Sequence, residues 1–189
     1  AHRAIIFRHL KGLVNHIGLF MVVNGDRGYA VDPDGKHTVP GTDENITYLH
    51  EVYQLADQNY TGRVTVPILW DSKECLIVNN ESSEIIMMLN SEFNAFGNVS
   101  YDYFPDALVE QISEVNELVY HKVNNGVYKA GFSTNQDAYE EAYDDLFMAF
   151  DKMEEILSTQ RYLAGDVITV ADWRAFPTLF RFDTVYHYA

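Results

Sequence analysis

The stretch Gly62-Arg63-Val64-Thr65-Val66-Pro67-Ile68-Leu69-Trp70-Asp71, with Leu76-Ile77-Val78-Asn79-Asn80-Glu81-Ser82-Ser83-Glu84-Ile85 close behind it, decides how this chain reads. The first run alternates and is rich in β-branched residues, as a strand requires, yet it holds a proline. Proline cannot donate to a ladder, so Pro67 belongs at a sheet edge or at an exceptional peptide bond. The second run stops at Asn79-Asn80-Glu81-Ser82, where Ser82 is expected to cap a helix carrying Ile85, Ile86, Leu89 and Phe93 on one side. A cis Val66–Pro67 bond would let Val66 offer its N–H and C=O to an extended peptide, as in strand addition. Glu81 would then supply a carboxylate for an ammonium, and Ser82 a hydroxyl, free N–H groups and the positive end of the helix dipole for a carboxylate. Such a pair recognises an amino-acid head group. On the residues alone, an edge proline, a serine cap and a solvated glutamate fit equally well.

Working outward, residues 4 to 20 place Ile5, Ile6, Leu10, Leu13, Val14 and Ile17 at helical spacing, and Phe20-Met21-Val22-Val23 reads as a strand. The polar stretch Asn24 to Asp43 is a long loop, of a length that suggests function, and a helix is expected from Thr47 to Asn59. After Asn94 the pattern becomes wholly helical, with Phe96-Gly97-Asn98-Val99-Ser100 as the linker. The expected domains are 1–96, mixed α/β, and 105–189, all-helical. In the second, Leu108, Ile112, Val115, Val119 and Val123 form one apolar stripe, and Leu146, Phe147, Phe150, Met153 and Leu157 another. Thr169 three residues before Asp172 predicts a capping box opening a helix that buries Trp173, Phe176 and Leu179.

Composition narrows the function classes. A chain of 189 residues with 47% hydrophobic content supports one large or two small domains. A formal net charge of −15 and a pI near 4.6 argue against nucleic acid or an anionic membrane as partner, since both require clustered Lys and Arg. No apolar run reaches membrane-spanning length and no signal-peptide pattern is present, so the expected location is the cytoplasm. The one cysteine, Cys75, excludes an intrachain disulfide and any multi-cysteine zinc site. It follows a turn, has Glu74 beside it and no helix N-terminus, so it reads as a passive thiol. His2, His9 and His16 recur every seven residues, about 10 Å apart on a helix, too far to share one ion. Glu140, Glu141, Asp144 and Asp145 read as a solvated helix face, so no metal is expected.

Four blocks then carry a resemblance: Tyr60-Thr61-Gly62-Arg63-Val64-Thr65-Val66-Pro67; Asn79 to Ile85; Asn124-Asn125-Gly126-Val127-Tyr128-Lys129-Ala130-Gly131-Phe132; and Arg161-Tyr162-Leu163-Ala164-Gly165-Asp166 with Ala171-Asp172-Trp173-Arg174. Their sequence and order resemble the xi-class glutathione transferases, the glutathionyl-hydroquinone reductases. The resemblance implies a thioredoxin-like α/β domain, here lacking its first strand, followed by an all-α domain of the glutathione-transferase type. It implies catalysis by a cysteine in a Cys-Pro-Trp-Ala-His-Arg motif. The chain opens with Ala1-His2-Arg3, at the motif's fourth residue, so the cysteine is expected upstream of Ala1 and the chain to be a piece of a longer protein.

The resemblance further implies glutathione as co-substrate, glutathione conjugates as small-molecule partners and a homodimer. Val66, Pro67, Glu81 and Ser82 would hold the tripeptide. Tyr128, which packing at a helix end would also explain, would line the hydroquinone pocket. Where the family places a stacking tryptophan this chain has Tyr29, with less ring area. Where it often has an arginine for the glycyl carboxylate the alignment lands on His50, which lacks the guanidinium fork. Alternatives are an omega-like thiol transferase or dehalogenase, and a glutathione-binding protein without turnover.

Overall fold

A computed structural model describes residues 1–31, 37–97 and 101–187. The chain divides into two compact units, Arg3–Asn98 and Val99–Ala189. The linker expected at 96–100 and the loop expected at 24–43 each fall partly outside the described residues.

In the first unit, α1 (His2–Leu10) is shorter than the periodicity predicts. Lys11 caps it and Gly12 turns the chain at φ +66, a left-handed conformation that glycine enters without steric penalty. Of the expected stripe only Leu13 is fully buried; Phe7 takes the core position and Val14 is exposed. The strand expected at 20–23 is displaced to β1 (Val23–Gly25), which pairs antiparallel with β2 (Gly28–Ala30). The expected loop therefore contains a hairpin and also β3 (His37–Thr38), paired antiparallel with β4 (Asn45–Ile46).

Helix α2 (Leu49–Ala56) starts later than expected because Glu51 Oε2 accepts the backbone N–H groups of Thr47 and Tyr48, each at 2.7 Å, and so fixes the entry. Leu49, Val52 and Tyr53 face the core with Val31, Val39 and Ile46. The proline-bearing run forms a strand only at its end: β5 (Leu69–Asp71) pairs antiparallel with β6 (Leu76–Asn79), with a register irregularity at Leu69/Trp70. Asp71 Oδ1 closes the intervening turn on the N–H groups of Lys73 (2.8 Å) and Glu74 (3.0 Å), and the bonds from Glu74 and Lys73 hold its carboxyl below the ordinary carboxylate range. Gly41, at φ +85, lies so close to that turn that a Cβ would meet the carbonyl oxygen of Ser72 at 1.7 Å. Helix α3 (Ser82–Ser91) closes the unit, burying Ile85, Ile86 and Leu89.

The second unit is helical among its described residues. A short 3₁₀ turn (Asp106–Leu108) leads into α4 (Val109–Leu118), which continues as a π-turn over Val119–Asn124 and then as α5 (Gly126–Gly131). Ile112, Val115, Val119 and Val123 are all buried, so the predicted stripe survives the change of helix type. Helix α6 (Gln136–Thr159) opens with Asn135 Oδ1 accepting from the Ala138 N–H at 2.9 Å. It buries Leu146, Ala149 and Met153, whereas Leu157, expected inside, is exposed. On α6 the acidic face is solvated, with Lys122 Nζ donating to Asp145.

Helix α7 (Val170–Phe180) carries the predicted capping box at Thr169 and Asp172. Its buried face, however, is Val170, Ala171, Ala175 and Thr178, while Phe176 and Leu179 are exposed and Trp173 is half-buried. Small side chains let α7 approach α4 and the π-turn closely, and the Thr178 hydroxyl donates to Asn124 Oδ1 at 2.7 Å within that contact. A second π-turn, Phe182–Tyr186, follows. Among the described residues no helix is long and apolar enough to cross a membrane.

Candidate functional site

The segment before β5 and the N-terminus of α3 meet in one hydrogen-bond network of the first unit. Its centre is the hydroxyl of Tyr53, a residue of α2 that is 2% exposed. Tyr53 Oη donates to the Thr65 carbonyl at 2.9 Å and accepts from the Thr65 N–H at 3.3 Å. Asn80 Nδ2 reaches both Tyr53 Oη (3.3 Å) and Thr65 Oγ1 (3.2 Å). One phenol thus fixes the residue before Val66 and, through Asn80, the residue before Glu81.

The Val66–Pro67 peptide is cis. Among the described residues neither the N–H nor the C=O of Val66 has a backbone partner, while the Val66 side chain packs on the core. An extended peptide could take both groups as a ladder partner.

At α3 the cap is Glu81, not Ser82 as the sequence suggested. Asn79 Oδ1 accepts from the Glu81 N–H at 2.7 Å and holds Glu81 extended (φ −95°, ψ 117°), so the helix begins at Ser82, one residue earlier than a Ser82 cap would place it. The Glu81 carboxylate accepts from the N–H and Oγ of Ser83, both at 3.3 Å, and from Ser82 Oγ at 3.5 Å. It is exposed and, among the described residues, has no cationic partner, which leaves it available to an ammonium. Ser82 is buried in the first turn, where its Oγ accepts from Arg3 Nη1 at 3.2 Å. The arrangement suits a zwitterion: carboxylate at the cap, hydroxyl and helix N–H groups beside it, a guanidinium behind.

The other predicted residues lie elsewhere. Tyr29 is on strand β2, not in a loop; it is half-buried against the same core as Val66. His50 is the second residue of α2 and stacks on the Tyr48 ring, centroids 5.6 Å apart. Among the described residues neither has a hydrogen bond or ring contact to Glu81 or Ser82.

Tyr128 belongs to the second unit and sits on α5; it is 50% exposed. Its ring stacks on Phe132 and meets Tyr186 edge-on, the two hydroxyls 3.4 Å apart. Arg181 Nη1 donates to Tyr186 Oη at 3.5 Å, and the Arg181 Cζ lies 5.7 Å from that ring's centroid. This aromatic patch with one cation would accept a flat phenolic ring. Sequence reasoning missed Phe132, Tyr186 and Arg181, although the i, i+4 spacing of Tyr128 and Phe132 signals a shared helix face. It also missed Tyr53 and Asn80, whose separation of 27 residues no local pattern reveals.

Cys75 Sγ sits 3.5 Å from the Gly41 carbonyl and 3.8 Å from that of Ser72, in the β5–β6 turn. Among the described residues no group of three or more His, Cys, Asp or Glu side chains converges as a metal site.

Residues 136–189 match the family model of the glutathione S-transferase C-terminal domain. Over 189 residues the chain is 49% identical to the glutathionyl-hydroquinone reductase PcpF of Sphingobium chlorophenolicum, with 99% of this chain and 60% of that protein aligned. The chain therefore spans under two thirds of that relative's length. The glutathione-bound structure of Escherichia coli YqjG superposes with a TM-score of 0.91 at 46% identity, covering 99% of this chain and 62% of that one. The xi glutathione transferase of Saccharomyces cerevisiae in complex with glutathione gives 0.88 at 32% identity, covering 98% and 70%. These likenesses fix the architecture as a thioredoxin-like α/β unit followed by a glutathione-transferase-type helical unit. The chain belongs to the xi class of glutathione transferases.

Proposed function

We propose that the whole protein reduces glutathionyl-hydroquinones with glutathione, releasing hydroquinone and oxidised glutathione. The observation that carries this reading is the joint placement of Val66 and the Glu81–Ser82 turn by one hydroxyl, since glutathione has a peptide backbone for the first and an amino-acid head group for the second. The names of the relatives, a glutathionyl-hydroquinone reductase and glutathione-bound transferases, support the same chemistry.

In the proposed cycle a cysteine thiolate, contributed by the protein upstream of Ala1, attacks the thioether sulfur of the conjugate. The aryl carbon–sulfur bond breaks, its electron pair stays with the ring carbon and takes up a proton, and hydroquinone leaves. The enzyme keeps a mixed disulfide with glutathione. A second glutathione thiolate then attacks that disulfide, giving oxidised glutathione and regenerating the enzyme thiolate. The two electrons lost by the sulfurs are those gained by the ring. Tyr128, Phe132 and Tyr186 would hold the ring. Tyr29 and His50 would add to glutathione binding from the same unit as Glu81. The protein would act in the cytoplasm, as a homodimer and without a metal.

The test is product analysis with a glutathionyl-hydroquinone and glutathione. Stoichiometric hydroquinone and oxidised glutathione are expected from the whole protein, and none once the upstream cysteine is replaced by alanine. The 189-residue chain alone is expected to bind glutathione without turnover, because Cys75 lies in a turn between two carbonyl oxygens. Turnover by this chain, or exchange of other thioethers but not this one, refutes the assignment.

A further inference from the structure

We infer that Tyr53 is a positioning residue for glutathione, acting with Asn80 and Thr65 to hold the two halves of the binding cleft in register; this rests on the glutathione-binding reading above. The observation is an unusual use of one hydroxyl. Tyr53 Oη is both donor and acceptor to the same residue, Thr65, and accepts again from Asn80. A phenol that merely needed a partner would be satisfied by one of these bonds. Using all three ties together backbone segments that the chain keeps far apart, with Thr65 beside Val66 and Asn80 beside Glu81.

Neither tied segment has regular structure to hold it. Residues 62–68 form no strand, and Asn80 lies between β6 and α3. Thr65 is exposed, so the network is anchored from below by the buried ring of Tyr53, which packs in the core and lies 4.8 Å from the Tyr60 ring. A ligand that must engage Val66 and Glu81 at once gains from having that spacing set in advance, because it then orders nothing on binding. Removing the hydroxyl leaves every residue that touches glutathione in place and loosens only the distance between them.

The experiment is calorimetric titration of the protein with glutathione, at a temperature where circular dichroism shows every variant folded. Tyr53→Phe keeps the ring and is expected to weaken binding about ten-fold. Thr65→Val, which removes one of the two acceptors of Asn80, is expected to weaken it about three-fold, and Thr65→Ser, which keeps the hydroxyl, to restore it. Leu49→Ala is the control: it is buried in the same core, on the same helix, and bonds to no part of the network. It should lower the melting temperature and leave affinity unchanged. Affinity in Tyr53→Phe within two-fold of the parent overturns the inference while the glutathione reading stands. An equal loss in Leu49→Ala overturns it too, by reducing Tyr53 to a stability residue. A parent protein that takes up no glutathione removes both this inference and the reading beneath it.

Discussion

Replacing Asp172 with alanine lowers the unfolding free energy by about 3 kcal/mol, which for a chain of this length moves the melting temperature down by roughly 6–12 °C. The side chain is N3 of α7, but its reach exceeds that of an ordinary capping box. Oδ2 accepts from the Thr169 N–H at 2.8 Å and from the Thr169 hydroxyl at 3.2 Å, while Oδ1 accepts from the Leu163 N–H at 2.9 Å. Thr169 is fully buried and Leu163 is 5% exposed, so water cannot readily replace the lost acceptor. Each stranded donor costs about 1–3 kcal/mol, and the negative charge at the positive end of α7 is lost as well. Thr169→Ala should cost less, about 1–2 kcal/mol, because it removes the cap acceptor for the first-turn N–H groups of Ala171 and Asp172 and one bond to the Asp172 carboxylate but leaves Asp172 on the Leu163 and Thr169 N–H groups. Urea unfolding followed by far-ultraviolet circular dichroism decides the matter. A loss under 1 kcal/mol for Asp172→Ala would show that the 161–169 segment is held by its hydrophobic residues alone.

That capping box could be read from the sequence because both partners lie within four residues of each other. The same locality made the α4 stripe legible: Ile112, Val115, Val119 and Val123 keep facing inward even where the helix widens to a π-turn. The turn from Asn79 to Ser82 was visible, yet its cap was misplaced by one residue. Asn79 takes the Glu81 N–H and keeps Glu81 extended, a preference set by the first residue of the turn itself.

Larger misses came from packing. Large apolar residues at Trp173, Phe176 and Leu179 suggested the inner face of α7, but close contact with α4 favours alanine, so Phe176 and Leu179 turn outward and Trp173 is only half-buried. The first helix was read as too long because its apolar spacing runs on past Gly12, where the backbone turns left-handed. In the site, Glu81, Ser82 and Val66 were nameable from the pattern near Pro67. Tyr53 was not, because thirteen tyrosines share the sequence and only tertiary structure selects the one whose hydroxyl meets Thr65.

Glutathione affinity should fall more in Ser82→Ala than in Glu81→Ala, by about 2 against about 1 kcal/mol, even though glutamate carries the formal charge. Exposure decides the order. The Glu81 carboxylate is open to solvent, so on the proposed reading its pairing with the ligand ammonium would be screened and would contribute as a surface ion pair does. Ser82 is buried at the first turn of α3, so on the proposed reading its hydroxyl and the helix N–H groups would meet the ligand carboxylate out of water. Its loss also removes the hydroxyl that accepts from Arg3 Nη1 at 3.2 Å. Ionic strength separates the two contributions. Raising salt should weaken binding to the parent and to Ser82→Ala but leave Glu81→Ala nearly constant, since only the glutamate interaction is long-ranged and solvent-facing. Calorimetry across a salt series measures both quantities at once. Unchanged affinity in both variants would remove glutathione from this turn, and a salt slope that survives in Glu81→Ala would place the charge recognition on a different residue.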